Sequence, residues 1–265
     1  MEDDIAGKIA RVEELTREAG RTREEAENYA HDIRTAVDSY GTQARREAEE
    51  EARKILADAE EQARRLAVEE LEVQTELMDA MGLGPEAVVV LHVGGVVGGV
   101  DAALKRFERG FEVLSPAART RLAVENDDRF FGLGDVLRLS ERIARPVVWD
   151  VLHHRCHDPD AIPDREALAL ALATWPSGVV PKVHYASPKT AVEERRKRVG
   201  RRVERSLRLP ELRAHADLID PISFEHFIGE TGRGMDFDVM LEAKAKDVAL
   251  LRLREQLADR TARTA

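Results

Sequence analysis

The chain has 265 residues, 35% of them charged and only 5% aromatic, and a net charge of −10. That length suits one large domain or two smaller ones, and a hydrophobic content of 43% is enough for a buried core. The acidic balance excludes a uniformly basic nucleic-acid binder, yet leaves room for a local basic groove or for metal ions that attract phosphates. Cys156 is the only cysteine, which excludes an intrachain disulfide and points to a reducing compartment. No apolar run is long enough to span a bilayer. The opening residues Met1, Glu2, Asp3 and Asp4 have the wrong sign for a signal peptide. The expectation is a cytoplasmic protein with no membrane partner.

Residues 1–66 contain no proline and are rich in Ala, Glu and Arg. Ile5, Ile9, Val12 and Ala19 recur at helical spacing. Further on, Ala44, Ala48, Ala52, Ile55, Ala59, Ala63 and Leu66 follow steps of 4, 4, 3, 4, 4, 3. An eleven-residue repeat of this kind holds one stripe in register along a nearly straight helix. Gly20 and Gly41 are expected to break the segment into shorter helices. An isolated polar helix is marginal in water, so the stripe predicts a coiled-coil-like stalk that forms a homo-oligomer; the bland alternative is a solvated helix without a partner.

Past Leu66 the periodicity changes. A helix over 68–81 is expected to end at Gly-Leu-Gly-Pro, 82–85. Short apolar runs then read as buried parallel strands: 87–93 (AVVVLHV), 121–127 (RLAVEND), 146–151 (PVVWDV), 179–186 (VVPKVHYA) and 237–243 (FDVMLEA). Stretches such as 100–114 and 134–143 have the length and period of crossover helices. The alternation predicts an α/β fold with a helix-covered parallel sheet. The domains expected are 1–66, charged and helical, and 67–259, about five C-terminal β/α units of a TIM-type barrel, which when closed has eight strands.

Each predicted strand ends in a residue foreign to an apolar run: His92; Glu125; Asp150, with His153 close behind; His184, with Lys182 before it; and Glu242. In parallel α/β barrels the carboxyl ends of the strands gather at one mouth. Buried carboxylates and imidazoles crowded together are costly without cations, and divalent metals accept both ligand types. A single histidine at a strand end is more often a satisfied core residue. Five strands repeating the feature point to a multi-metal centre.

The strings LHVGG (91–95), VENDD (124–128), WDVLHHRC (149–156), PKVHYASP (181–188), HADLID (215–220) and DVMLEAKAKD (238–247) resemble, in order, successive motifs of the UV damage endonuclease family. The resemblance covers nearly all of 67–250. It implies a TIM-type barrel related to endonuclease IV that uses divalent ions, commonly manganese, to nick double-stranded DNA on the 5′ side of UV photoproducts. It further implies that Glu125 bridges two metals, that Asp150, His184 and Glu242 complete one of them, that His92 binds the other, and that His153 and His215 hold a third. Lys182 falls where the family has a lysine beside the metals, giving Glu125 and Lys182 as catalytic candidates. Asn126 and Asp127 are expected either to orient the glutamate, to touch the DNA backbone or to make structural hydrogen bonds. His154 and His157 are expected to face outward or to support the ligands.

Phosphodiester hydrolysis suits such a site, because it needs charge neutralisation on the phosphate and an activated water rather than a serine or cysteine nucleophile. The segment 195–213 adds Arg195, Arg196, Lys197, Arg198, Arg201, Arg202 and Arg205, a DNA-binding candidate for phosphates flanking the lesion; the alternative is a solvated helix face. The family's His-Pro-Gly-Gln motif, which lies on a strand preceding those seen here, has no counterpart in this sequence. The expectation is therefore an incomplete barrel with open strand edges. Competing functions are a non-catalytic oligomerising, DNA-binding or metal-binding protein, and a sugar isomerase of related architecture, which the VENDD, PKVHY and MLEAK strings disfavour.

Overall fold

The computed structural model describes residues 2–200 and 202–264. Its elements in chain order are α1 (Glu2–Ala80), β1 (Val89–His92), α2 (Val100–Glu112), α3 (Pro116–Arg121), β2 (Leu122–Glu125), α4 (Leu133–Ile143), β3 (Val147–Asp150), α5 (Val151–Cys156), α6 (Asp164–Leu172), β4 (Lys182–Tyr185), β5 (Glu193–Val199), β6 (Arg202–Arg208), α7 (Pro221–His226), β7 (Asp238–Leu241) and α8 (Asp247–Thr264). A π-helical turn, Phe227–Thr231, follows α7. Contacts divide the chain into two compact units, Met1–Arg65 and Leu66–Ala265. No helix among the described residues is long and apolar enough to cross a membrane.

The first unit is helical throughout its described length. Gly20 and Gly41 do not break it, contrary to the sequence expectation. A glycine costs a helix interior about 1 kcal/mol, and uninterrupted Ala, Glu and Arg on either side carry the hydrogen-bond ladder through. The side chains of Ile5, Ile9 and Val12 lie outside the described residues. From Ala44 to Ile55 to Ala63 the predicted stripe is exposed. Ion pairs one turn apart, Arg11–Glu14 at 2.8 Å and Arg23–Glu27 at 2.8 Å, support the helix along its surface.

In the second unit β1, β2, β3, β4 and β7 form a five-stranded sheet in that order, every pair parallel. All five strands lie inside the runs read from sequence, and α2 and α4 fill the predicted crossovers. Two-residue periodicity sorts the strands into two faces. Val89, Leu122, Val124, Val147, Trp149, Val183 and Tyr185 point to one face and share the main core with Leu104, Leu139, Leu168 and Leu253 of the helices. Ala123 and Val148 point to the other, where they meet Trp175, Val88, Val90 and Val179 in a small second cluster. The polar residues of the strand ends lie on this second face. Among the described residues β1 and β7 are sheet edges, each paired on one side only.

The end of α1 is fastened to this unit by specific polar contacts. Glu72 accepts hydrogen bonds from the backbone N–H and the hydroxyl of Ser115, each at 2.7 Å. The buried Arg121 guanidinium binds Asp79 Oδ1 at 2.5 Å and the carbonyls of Leu83, Gly84 and Ala87 at 2.8–3.0 Å. One charged group thus satisfies the chain's turn from helix into β1, and its burial is compensated by four acceptors.

Candidate metal centre

His92 is the last residue of β1, Glu125 of β2 and Asp150 of β3. His153 lies on the first turn of α5, His184 in β4, His215 in the loop after β6, and Glu242 directly after β7. Strand register brings them level: His92 is opposite Glu125, and Asp150 opposite His184. All seven residues expected to ligate metal meet at the carboxyl end of the sheet. They fall into three overlapping groups whose ligand atoms lie within 4.8 Å of one another: His92, Glu125 and His153; Glu125, Asp150, His184 and Glu242; and Asp150, His153, His215 and Glu242.

Glu125 uses both oxygens. Oε1 is 2.9 Å from His184 Nδ1 and 3.6 Å from His153 Nδ1, while Oε2 is 3.6 Å from His92 Nε2. Glu242 divides in the same way, Oε1 at 3.2 Å from His184 Nδ1 and Oε2 at 3.5 Å from His215 Nδ1. The rings of His92, His153 and His215 form a row with centroid separations of 5.4 and 5.6 Å. Sequence reasoning anticipated one shared residue, Glu125. The structure adds Glu242, Asp150 and His153 to more than one group, a fact that only folded distances could supply.

Asn126 is wholly buried and structural. Its amide donates to the Asp150 carbonyl at 3.1 Å, and its side-chain oxygen accepts the Asp150 N–H at 2.9 Å. This side-chain pair continues the β2–β3 ladder past its last backbone rung. The Asn126 carbonyl lies 3.0 Å from His153 Nδ1; a proton there leaves Nε2 as the lone-pair atom of that ring, the usual arrangement in a metal-ligating histidine. Asp127 caps its own loop, accepting from the N–H groups of Arg129, Phe130 and Phe131 at 2.6–3.1 Å. Of the two expectations for His154, facing outward is not met: it is buried edge-on against Trp149, with Nε2 2.8 Å from the Ile162 carbonyl. Its neighbour His153 turns to the site because successive helical positions point about 100° apart.

Lys182 occupies a different station from the seven. It lies two residues before His184 on the same face of β4, and its ammonium binds Asp238 at 3.1 Å and the Val180 carbonyl at 3.4 Å, over the Trp175 ring. Arg195, Arg196, Lys197, Arg198 and Arg202 form an antiparallel ribbon, β5–β6, rather than the helix weighed from sequence. Val199, Val203 and Leu207 stand four residues apart, a helical spacing, so no two-residue alternation marked these strands; Gly200, at positive φ between them, was the local signal for a turn. Arg201 lies outside the described residues.

Electrostatics show how the site fits cations. Asp150 is fully buried, and its Oδ1 caps α5 by accepting the His153 N–H at 2.6 Å. Among the described residues its Oδ2 has no hydrogen-bond partner. Burial pushes the Asp150 carboxyl up to about 7, against the pull of His153 and with the repulsion of Glu125 and Glu242. Burial pushes the His184 imidazole down, but the hydrogen bond to Glu125 and the charges of Glu125, Glu242 and Asp150 outweigh it and hold it above its usual value. Burial keeps His215 low in spite of Glu242. Three carboxylates and four imidazoles, with one carboxylate oxygen sealed and unpartnered, form a donor set suited to divalent ions.

The model of the UV-endonuclease UvdE family matches residues 41–264. The chain belongs to this family. It is similar to the UV DNA damage endonucleases of Bacillus pumilus strain SAFR-032, 34% identical over 197 residues, and of Bacillus velezensis strain DSM 23117, 32% identical over 195 residues; each alignment covers 72% of this chain and 55% of the relative. A solved UvdE-type structure, "Crystal Structure of SacUVDE", superposes with a TM-score of 0.59 at 28% identity, covering 74% of this chain and 59% of the other. The chain thus spans about half the length of the curated relatives it matches.

Proposed function

We propose that this UvdE-family chain is a metal-dependent endonuclease that cuts double-stranded DNA on the 5′ side of UV photoproducts, with manganese as the metal. The observation that carries the reading is the convergence of seven ligand-type side chains from six separate segments on one mouth, around a buried carboxylate oxygen without a partner. The names of the relatives supply the substrate class. We further propose that the five parallel strands are part of a barrel, a reading supported by their alternation with helices, their sequential order in the sheet and the polar cluster at their carboxyl ends.

In this reading Glu125, with an oxygen toward each of two groups, bridges two metal positions. Asp150, His184 and Glu242 would complete one, His92 and His153 would serve the second, and His153, His215, Asp150 and Glu242 would hold the third. Bound divalent ions would supply the positive charge and Lewis acidity that phosphodiester hydrolysis requires. The protein's own contribution is positioning. Asn126 locks the ends of β2 and β3 together, Asp150 holds the first turn of α5 and so the His153 ring, and the sheet register sets His92 beside Glu125.

The exposed stripe of α1 is the proposed surface for self-association. Tyr29, Ile33, Val37 and Tyr40 are exposed at steps of 4, 4 and 3, in line with Ala44 and Ile55. Sedimentation equilibrium at two protein concentrations tests it, a strict monomer being the contrary result.

Incision of UV-irradiated plasmid by the purified chain, with manganese and with EDTA, tests the enzymatic reading. Nicking that requires the metal and is lost in Glu125→Gln supports it. A folded, metal-loaded chain that leaves irradiated plasmid intact refutes it and favours the non-catalytic alternative.

A further inference from the structure

The segment between β4 and His215 does something the metal groups do not require. Its two ends are stitched together beside the site: Lys189 N–H donates to the Ala214 carbonyl at 2.7 Å, Ala216 N–H to the Ser187 carbonyl at 2.9 Å, and Pro188 bridges to His215 itself. Arg213 ties the same root to Asp128 on the loop after β2. From this root, flanked by His184 on one side and His215 on the other, the chain extends as the β5–β6 ribbon. Strands of seven residues at ~3.4 Å per residue reach about 24 Å, some two-thirds of a duplex turn of ~34 Å.

In a chain of net charge −10, residues 193–208 hold eight Arg and Lys against three Glu. Residues 194–198 are exposed, as is every residue of β6. Residues directly opposite in an antiparallel pair share a face, so Glu194, Arg196 and Arg198 lie on one side with Leu207, Arg205 and Val203. Arg196 is directly opposite Arg205, a like-charge juxtaposition that destabilises a pair of strands. Glu194, 3.5 and 3.4 Å from the two guanidinium groups, is the one acid on that face. A lone two-stranded ribbon is marginal in water, and opposed arginines weaken it further. A polyanion laid along this face would remove that penalty, and a two-stranded ribbon fits the major groove of duplex DNA.

We propose that the β5–β6 ribbon is a phosphate-tracking arm that holds duplex DNA over the mouth through Arg196, Arg198 and Arg205, independently of the metals. The inference rests on the nuclease reading for its choice of DNA as the anion. Sequence-independent contacts of this type release counterions, and each removes about 0.9 from the slope of log affinity against log salt.

The test is fluorescence anisotropy of an undamaged duplex oligonucleotide with the full chain in EDTA, across a KCl series. The triple substitution Arg196→Gln, Arg198→Gln and Arg205→Gln is expected to lower the slope by roughly 2–3 and to weaken binding at ~0.1 M salt by at least about tenfold. Manganese binding, followed by calorimetry, is expected to stay as in the wild type, which also reports that the variant is folded. A control with Arg34, Arg45, Arg46 and Arg53 of α1 changed to Gln is expected to leave the slope within one of the wild-type value. An unchanged slope in the ribbon variant, or an equal fall in the control, overturns the proposal. Because the assay contains no metal and scores no nicking, a ribbon effect in a chain that fails to incise DNA would sink the nuclease reading and leave the arm standing. Metal-dependent nicking with no ribbon effect would do the reverse.

Discussion

The first unit and the mouth of the sheet are both crowded with glutamates and basic groups, yet none of the described side chains of residues 11–65 is buried, whereas Glu125, Asp150, His153 and His184 all are. On the helix, acids and bases pair one turn apart in water, where Coulomb attraction is weak and readily screened. At the mouth the same chemical types lose their solvent and stand as neighbours, so that one carboxyl is driven up to about 7 and one oxygen has no partner among the described residues. Charge content is therefore a poor guide to chemistry in this chain. Burial of like charges together marks the site, because it takes bound protons or an added cation to resolve it.

The contrast is broken most directly at Glu125. Glu125→Gln keeps the shape and removes the charge shared by two groups, so nicking of irradiated plasmid is expected to fall by at least about 10³-fold, with a loss of manganese binding seen by calorimetry. Retained metal binding would show that Glu125 is a bystander. Asn126→Ala removes no ligand, but it breaks the clamp between β2 and β3. A loss of roughly 2–3 kcal/mol in urea unfolding and a metal affinity lowered about 10–100-fold are expected, and an unchanged affinity would deny the positioning role.

The sign of the pH dependence sharpens the same comparison. Asp150 has a folded value raised to about 7 and His184 is also raised, so each binds its proton more tightly in the folded state. Their stabilisation is present at low pH and is lost as pH rises through the folded values. The metal-free chain is expected to be more stable at pH 5 than at pH 8, Asp150 accounting for roughly 2–3 kcal/mol of the difference. Lowered His215 acts in the opposite sense, from a partly exposed position where solvent weakens the effect. With manganese the trend should reverse, since ligands must be deprotonated to bind. Thermal midpoints at the two pH values with and without metal decide the matter; a metal-free chain most stable at pH 8 would contradict the burial argument. The smallest effect belongs to the helix: Arg23→Ala breaks an exposed pair at 2.8 Å, and no measurable change in the midpoint is expected.

The five apolar runs, their order and the polar residue closing each one were legible before any coordinate, because strand burial imposes a local pattern that a linear string preserves. Six of the seven ligand candidates stood at or just past these strand ends, while His215, on a loop, was named only by the resemblance of its motif to those of a known family. Tertiary structure alone decided that Glu242, Asp150 and His153 serve more than one group, that Asn126 is a clamp, that Lys182 pairs with Asp238, and that 193–208 is a ribbon rooted between His184 and His215. Apart from the ribbon's own pairing, each of these depends on contacts between residues 24 or more positions apart, and no periodicity along the chain encodes such a distance. Gly20 and Gly41 failed as helix breakers for the opposite reason. A local signal of about 1 kcal/mol was outweighed by the cooperative ladder around it.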